Sequence, residues 1–314
     1  MFNVTSLLDN GGANTFRAAI QAANAAPNST ITFAIGAQGT TQTITLNAAL
    51  GALPALTAPT LIDGFSQNGG TKGTYIELNG NQIGATGLTV NAGGVEIRGL
   101  AVDNFNGDGI DLNNPLGSAT VRVWRCMIGT DCTGVKAGVG NTATGIAVTA
   151  ANDVIGAPSQ ADGNVISGNG ANGVMLNGPP ANNDSVLGNY IGVDLTGTKA
   201  LANAGQGVLV QMGASNNVIG GDTAGHSIGS GNVIAGNGGS GIYVSAANSN
   251  QIVDNYIGLG SDGTTAVANA SDGVGLWNGS SNNIIGGEDG FSGNYISGNG
   301  RNGVLLGYLH YDPC

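Results

Sequence analysis

The feature that most constrains this chain is a repeat of about 32 residues. Two versions of the unit alternate, one like "SVLGNYIGVDLTG" from residue 185 and one like "SNNVIGG" from residue 215. A fixed period of this length indicates a solenoid, because each unit can bury its apolar face only against its neighbours. The equivalent apolar positions lie 31, 32, 32, 34 and 32 residues apart, at Val123, Val154, Val186, Val218, Ile252 and Ile284.

Each unit contains three short apolar segments, and the third alternates apolar residues with other types. A period of two predicts β-strands with the apolar residues on one face. Three strands per unit predict an all-β fold, a parallel β-helix in which each strand pairs with its counterpart one coil away. A propeller would need four strands per blade, and a leucine-rich repeat its leucine consensus. The apolar pairs of the third strand are Val174 and Leu176, Val208 and Val210, Ile242 and Val244, Val274 and Leu276, and Val304 and Leu306.

The N-terminal segment "NTFRAAIQAANAAPN" predicts an amphipathic helix over about residues 14–26. Asn14 is the expected cap and Pro27 the expected stop. We expect this helix to cover the first coil, which would otherwise expose core and strand edges. Its apolar face would carry Phe16, Ala19, Ile20 and Ala23, and its polar face Arg17, Gln21 and Asn24.

The chain is expected to form one structural domain with three parts. Residues 1–93 contain the capping helix and the first strands, residues 94–306 the β-helix repeats, and residues 307–314 an irregular tail. Glycine accounts for 58 of 314 residues, yet short apolar segments are plentiful, as in all-β proteins rich in turns.

Charge excludes some partners. The net charge of −11 argues against binding to nucleic acid or to an anionic membrane. The sequence has no run of about 18 apolar residues, so we expect no membrane insertion.

The three cysteines, Cys126, Cys132 and Cys314, match neither a disulfide framework nor a zinc-binding pattern. Two interpretations stay open: Cys126 and Cys132 form a local disulfide, or they are two unpaired, partly buried thiols.

The recurring motif "GNVISGNGANGVML", from residue 163, is interpreted as scaffold. Glycine and asparagine accept the left-handed backbone that tight corners require. Asparagine can also bond to its copy in the next coil, which would form a ladder along the stack.

The segment "VTSLLDNGGANTFRAAIQAANAAPNSTITFAI" resembles the N-terminal segment of large bacterial secreted and surface proteins with right-handed parallel β-helix repeats. "NNVIGG", "GNVISGNG" and "GNYIGVDLTGTKALAN" are similar to the repeats that follow it there. The resemblance extends to about residue 306 and implies a right-handed coil and export. It carries no common chemistry.

Localisation follows from the resemblance. The first residues lack the basic and apolar regions of a signal peptide. The resemblance favours a secreted or cell-surface bacterial protein whose signal has been removed, with a cytosolic protein as the alternative.

One group of charged residues is the candidate catalytic site. In a site like that of a pectate lyase, Asp103, Asp108 and Asp111 would bind Ca2+ and an arginine or lysine would act as the base. The alternative is a set of solvated charges at turns. A hydrolase would need paired aspartates and a histidine, but His226 lies in a loop and His310 in the tail. The candidate residues are Asp103, Asp108, Asp111, Arg122, Arg125 and Lys136.

Outward rows form the candidate binding site. If Ile242 and Val244 face inward, Tyr243 faces outward in a row with Asp111, Ala147, Met175, Leu209, Gly275 and Leu305, and Trp277 lies nearby. Tyr190, Tyr256 and Tyr295 would face outward from the second strand. Rings on a rigid flat face can stack on sugars. The alternative is that these rows pack between coils or lie under loops.

The sequence favours a non-catalytic secreted or surface module, a rigid scaffold that binds glycans or partner molecules through these rows. The alternative is a carbohydrate-active enzyme, like a polysaccharide lyase rather than a hydrolase. We expect no cofactor, with Ca2+ as the open exception. The C-terminal coil has no predicted cap, so end-to-end self-association is a further expectation.

Overall fold

The chain forms a parallel β-helix, seen in a computed structural model that describes residues 1–115, 118–221, 231–287 and 292–307. The three strands of the repeat form three parallel sheets, as the sequence predicts. The coil is right-handed, as connections between parallel strands almost always are.

The elements follow the repeat in chain order. The first are β1 (Phe2–Val4), α1 (Phe16–Asn24), β2 (Ser29–Phe33), β3 (Gln42–Thr45), β4 (Thr60–Asp63), β5 (Ile76–Asn79), β6 (Leu88–Val90), β7 (Glu96–Arg98), β8 (Leu100–Asp103) and β9 (Ile110–Leu112). Next are β10 (Arg122–Trp124), β11 (Met127–Ile128), β12 (Ile146–Val148), β13 (Val154–Gly156), β14 (Val165–Ile166), β15 (Val174–Asn177), β16 (Ser185–Leu187), β17 (Tyr190–Ile191) and β18 (Val208–Gln211). The last are β19 (Val218–Gly220), β20 (Val233–Ile234), β21 (Ile242–Ser245), β22 (Gln251–Val253), β23 (Tyr256–Ile257), β24 (Val274–Trp277), β25 (Ile284–Ile285), β26 (Tyr295–Ile296) and β27 (Val304–Leu306). Short 3-10 helices occupy Ala48–Leu50, Gly64–Asn68 and Gln160–Asp162.

Each sheet collects one strand from every coil. Sheet A has the order β1-β2-β4-β7-β10-β13-β16-β19-β22-β25. Sheet B runs β3-β5-β8-β11-β14-β17-β20-β23-β26, and sheet C runs β6-β9-β12-β15-β18-β21-β24-β27. Their inward side chains form one continuous apolar core along the stack.

The register differs by one residue from the sequence alignment in alternate units. Val123 pairs with Ile155 rather than with Val154, and Ile219 and Ile285 occupy the same position in later coils. Ile155 is fully buried, whereas Val154 is partly exposed. Because a shift of one residue turns a strand's side chains to the other face, the second apolar residue of each "VIG" belongs with the core.

The recurring motif was predicted to supply left-handed corners and an asparagine ladder, and different residues fill these two roles. Asn216 (φ 58°) and Gly168 (φ 80°) take the left-handed backbone at corners. Asn164 and Asn169 instead point inward and join buried ladders. One ladder contains Asn141, Asn169, Asn203, Asn237, Asn269 and Asn299, and another contains Asn164, Asn189, Asn232, Asn255 and Asn294.

The predicted capping helix is present, with shorter bounds. Thr15, not Asn14, is the N-cap, and its side chain accepts from the Ala18 N–H. Arg17 was expected on the polar face but is buried. It makes a two-point ion pair with Asp9, because the loop before the helix folds back over it. The predicted apolar face, Phe16, Ala19, Ile20 and Ala23, is buried in the core.

The stack begins well before residue 94, since β2 and β3 already pair with strands of the next coil. At the other end, Val304 and Leu306 are exposed although their counterparts in earlier coils are buried. In the part of the chain that the structure describes, no helix has the length and apolar character to cross a membrane. Cys314, His226 and His310 lie outside the described residues.

Candidate functional site

The outer face of sheet C carries the row that the sequence predicts. The register places Asp111, Ala147, Met175, Leu209, Tyr243, Gly275 and Leu305 side by side in successive coils. From Met175 to Tyr243 these side chains are partly exposed. Because strands stack about 4.8 Å apart, the row is a straight apolar track on a rigid surface.

Tyr243 and Trp277 form an aromatic platform at the C-terminal end of this row. Their ring centres are 6.3 Å apart and their planes differ by 23°. Gly275 lies between them, where an added Cβ would stand 3.1 Å from Trp277 Nε1 and 3.5 Å from the Tyr243 ring. The indole can therefore lie across the sheet because position 275 has no side chain. Both rings are partly exposed.

A parallel polar row borders the apolar one. Asn177, Gln211, Ser245 and Trp277 are in register, two residues beyond the apolar row. The Gln211 amide donates to Asn177 Oδ1 at 3.1 Å. From Ala147 to Leu305, neither row contains a charged side chain. The face therefore offers apolar and aromatic contact beside uncharged hydrogen-bonding groups.

The outer face of sheet B is different, because loops cover much of it. Met127, Val165, Tyr190, Val233, Tyr256 and Tyr295 are in register. Met127, Val165 and Val233 are buried, and Tyr190 and Tyr256 are partly exposed. Tyr256 stacks on Tyr295 with ring centres 5.1 Å apart. Most of this row thus packs between coils and under loops, which is the alternative the sequence left open.

The six candidate catalytic residues do not converge. Arg122 lies on the outer face of sheet A, 5.1 Å above the Trp124 ring. Arg125 follows at the corner between sheets A and B, and Lys136 is exposed in the loop after β11. Asp111 faces outward from sheet C. The side chains therefore point from different faces of the stack, because each sheet of a β-helix has its own outward direction.

The three candidate calcium ligands do not form one site, although burial and, to a smaller extent, the nearby charge of Asp111 raise the pKa of Asp108. Asp103 ends a sheet B strand, Asp111 lies on sheet C, and Asp108 is in the connection between them, where it accepts from the Thr144 N–H at 2.7 Å. Within the described ranges, no three His, Cys, Asp or Glu side chains are arranged to hold a metal ion.

Asp103 is fully buried rather than exposed to a substrate. Its Oδ1 accepts from Asn79 at 2.9 Å, while Oδ2 has no partner among the described atoms. Burial, and then the nearby charge of Glu77, raise the pKa of Asp103 to about 8. Asp103 is therefore a protonated interior acid at neutral pH.

Cys126 and Cys132 are free thiols, so the local disulfide is not formed. Cys126 points into the core and is fully buried, whereas Cys132 packs against the outward cluster of Met127 and Val165. The backbone of the coil separates the two side chains. Burial raises the pKa of Cys126 to about 12.

Trp124 lies at the centre of a basic cluster, of which the sequence analysis named Arg122 but neither Trp124 nor Lys72. Lys72, Arg98 and Arg122 lie 5.5, 5.7 and 5.1 Å from its ring centre. The Trp124 indole N–H donates to Glu96 at 2.9 Å. The alternation in "RVWRC" was the available signal, but Lys72 comes from a loop about 50 residues earlier.

Comparison with known proteins gives structural similarity alone. No protein-family model and no curated protein matches the chain. Similar solved structures include A-modules of two Azotobacter vinelandii mannuronan C-5 epimerases, AlgE6 and AlgE4, with 18% and 17% identity and TM-scores of 0.42 and 0.37. Each covers all of this chain, which spans 97% and 98% of those chains. The Dettilon tailspike protein has 10% identity and a TM-score of 0.36 over 93% of this chain and 64% of its own. These TM-scores are below 0.5, so they carry no inference about function.

Proposed function

We propose that this protein is a non-catalytic, secreted or surface-located β-helix that binds a neutral polysaccharide along the outer face of sheet C. The observation that carries the proposal is the Tyr243–Trp277 platform at the end of a straight, uncharged track. Aromatic faces stack on apolar faces of sugar rings, and the amide and hydroxyl groups of the polar row suit sugar hydroxyls.

The absence of charge on this track selects the kind of glycan. An acidic polysaccharide would find no cation between Ala147 and Leu305 in either row, and the protein's net charge of −11 would repel it. A neutral chain meets neither obstacle. The rigid stack also holds the rings in place before binding, which lowers the entropic cost of association.

The lyase alternative has no supporting geometry in the described residues. Its arginines and aspartates lie on separate faces, and Asp103 is buried. Secretion rests on the sequence resemblance and end-to-end self-association on the exposed apolar residues of the last coil, so both stay predictions.

Binding is tested by affinity electrophoresis through gels that contain neutral polysaccharides, such as β-glucans, mannans and xylans, or acidic polygalacturonate. We expect retardation by a neutral polymer. Tyr243→Ala and Trp277→Ala should each weaken it about tenfold, because a lost aromatic contact costs roughly 1 kcal/mol or more.

The control is Leu8→Ala, which removes an exposed apolar side chain from the N-terminal segment. It should bind like the unmodified protein. Retardation by none of the polymers, or binding that neither aromatic substitution changes, would refute the proposal.

A further inference from the structure

A pocket of about 340 Å³ lies over the outer face of sheet B. It opens on a different face of the stack from the sheet C track. Its floor is formed by Met127, Val165 and Tyr190, which are neighbours in register in three successive coils. We call it the Arg125 pocket. The volume suits a small molecule rather than a polymer.

The two walls of the Arg125 pocket differ in polarity. Arg125, Thr74 and Gln160 supply polar groups along the side next to sheet A. Leu195 and Cys132 line it as well and come from the loops after β17 and β11. Burial is the largest cause that raises the pKa of the Cys132 thiol, so this side chain is an uncharged lining group and not a nucleophile.

Tyr190 contributes its ring to the floor. Its hydroxyl already bonds to Ser261, and burial raises its pKa. The ring packs against the cluster of Met127 and Val165. Val165 and Met127 are only 1% and 7% exposed, so a ligand would meet mainly the partly exposed Tyr190 ring and the exposed Leu195 side chain.

Arg125 has unused hydrogen-bonding capacity. Its guanidinium makes one long contact among the described residues, 3.4 Å from Nη1 to Asp162 Oδ1. Asp162 binds Lys72 more closely, at 2.6 Å. One carboxylate thus faces two cations, so the wall keeps an excess positive charge, and Arg125 Nε has no partner in the described structure.

The surroundings of this wall add little net charge, because carboxylates accompany the neighbouring cations. Lys72, Arg98, Arg122 and Arg125 are half of the chain's eight cations and lie beside Trp124. Three carboxylates, Asp63, Glu96 and Asp162, pair with them, so the group keeps one net positive charge in a protein of net charge −11. The positive potential is therefore confined to the Arg125 side of the pocket, because the charges of Glu77 and Asp131 act on Cys132.

The backbone conformation at residue 125 does not call for an arginine side chain. Arg125 has φ 51°, in the left-handed region that favours glycine. The equivalent corner is Gly99 in the preceding coil and Gly188 two coils later, and Asp254 takes φ 57° at the same corner two coils further on. A glycine would fit position 125 with less strain, so the fold does not require the arginine.

We infer that the Arg125 pocket binds a small organic acid, with its carboxylate on Arg125 and its apolar or ring-shaped body against Tyr190 and Leu195. Arginine's planar fork matches a carboxylate in two-point hydrogen bonds. This inference does not rest on the proposed glycan site, which lies on another sheet.

The test measures binding of benzoate and cyclohexanecarboxylate at pH 7, with benzamide as the uncharged analogue, by isothermal titration and saturation-transfer NMR. We expect saturable binding of the acids, at least about tenfold tighter than that of benzamide, because a hydrogen bond to a charged group contributes that much. Arg125→Gly should reduce acid binding to the benzamide level while the unfolding midpoint stays the same or rises. Leu195→Glu, which places a carboxylate on the pocket wall, should weaken the acids and spare benzamide.

The charge-matched control is Arg301→Ala, which removes an exposed cation near the last coil. It should change acid binding less than twofold. Binding of the acids that equals that of benzamide, persists in Arg125→Gly or falls equally in Arg301→Ala overturns the inference, and so does the lack of saturable binding of either acid.

Discussion

In the buried ladder that continues through Asn217, Asp184 has a carboxyl group where an asparagine would have an amide. Its Oδ1 accepts from the Asp153 N–H, and its own N–H donates to Asn217 Oδ1, both at 2.8 Å. At the next rung, the Asn217 amide donates to Asn250 and to the Ala181 carbonyl. Asp184 Oδ2 has no partner in the described structure. Burial raises the pKa of Asp184 to about 8, so at neutral pH the acid keeps a proton that can replace the amide N–H.

Asp184→Asn should remove part of the protein's sensitivity to alkaline pH. The pKa of Asp184 is raised in the folded state, so its stabilising contribution is complete below about pH 4 and is lost as pH rises through about 8. Asparagine donates at every pH. We expect the variant to exceed the unmodified protein by roughly 1–3 kcal/mol at pH 9, the usual cost of a buried unpaired group.

Urea unfolding at pH 5, 7 and 9 measures this difference. Asn217→Asp is the matched reciprocal change and should lose stability as pH rises. If the unmodified protein and Asp184→Asn keep a constant difference from pH 5 to pH 9, Asp184 does not titrate as proposed.

At the scale of elements, each asparagine ladder acts as a second hydrogen-bonded ribbon inside the corners. Asn203 Oδ1 accepts from the backbone and side chain of Asn169, and its amide donates to the Ile166 carbonyl and to Asn237. Short strands of two to four residues form few ladder bonds of their own. The side-chain ribbons therefore hold adjacent coils together where the strands end.

Asn203→Ala should cost at least about 3 kcal/mol, because it orphans several buried donors and acceptors at once. The matched control is Asn216→Gly, at an exposed left-handed corner where glycine is conformationally suited. We expect that change to cost less than about 1 kcal/mol. Chemical denaturation compares the two, and equal losses would show that the ladder contributes nothing beyond its corner.

The elements also show where sequence reasoning stopped. Strand existence, the inward pairs of sheet C and the outward position of Tyr243 follow from a period of two, which a single strand displays. The alignment of Val154 with Val123 was wrong because both residues of a "VI" pair are apolar, and only the neighbouring coils decide which one is buried. Loop cover over Met127 and Val165 was equally invisible in the strand pattern.

At the scale of the whole molecule, the N-terminal cap depends on one buried ion pair. Arg17 Nε lies 2.7 Å from Asp9, and its terminal nitrogens donate to the carbonyls of Gly51 and Ala52. Asp9 also accepts from the Asn47 N–H. These bonds join the N-terminal segment, the helix and the first coil.

Asp9→Asn should destabilise the protein by roughly 3 kcal/mol, because it leaves a buried guanidinium without its counter-charge. Lys72→Ala breaks a shorter but exposed ion pair and should cost less than about 1 kcal/mol. Thermal unfolding gives the ranking, and hydrogen exchange should show that α1 loses protection first in Asp9→Asn. A larger loss in Lys72→Ala would contradict this account of the cap.

The sequence by itself determined the solenoid, its three strands per coil, the capping helix and the outward Tyr243 and Trp277, because these follow from local periodicity and a repeat that each coil restates. Tertiary structure alone decided which residues meet across separate segments. It brought Lys72 to Trp124, buried Arg17 on Asp9, set Cys126 and Cys132 on opposite sides of the coil wall, and separated the charged cluster over the faces of the stack. The physical reason is that repeat spacing fixes position along the stack, whereas the direction of a side chain depends on the sheet that carries it and on the loops that fold over that sheet.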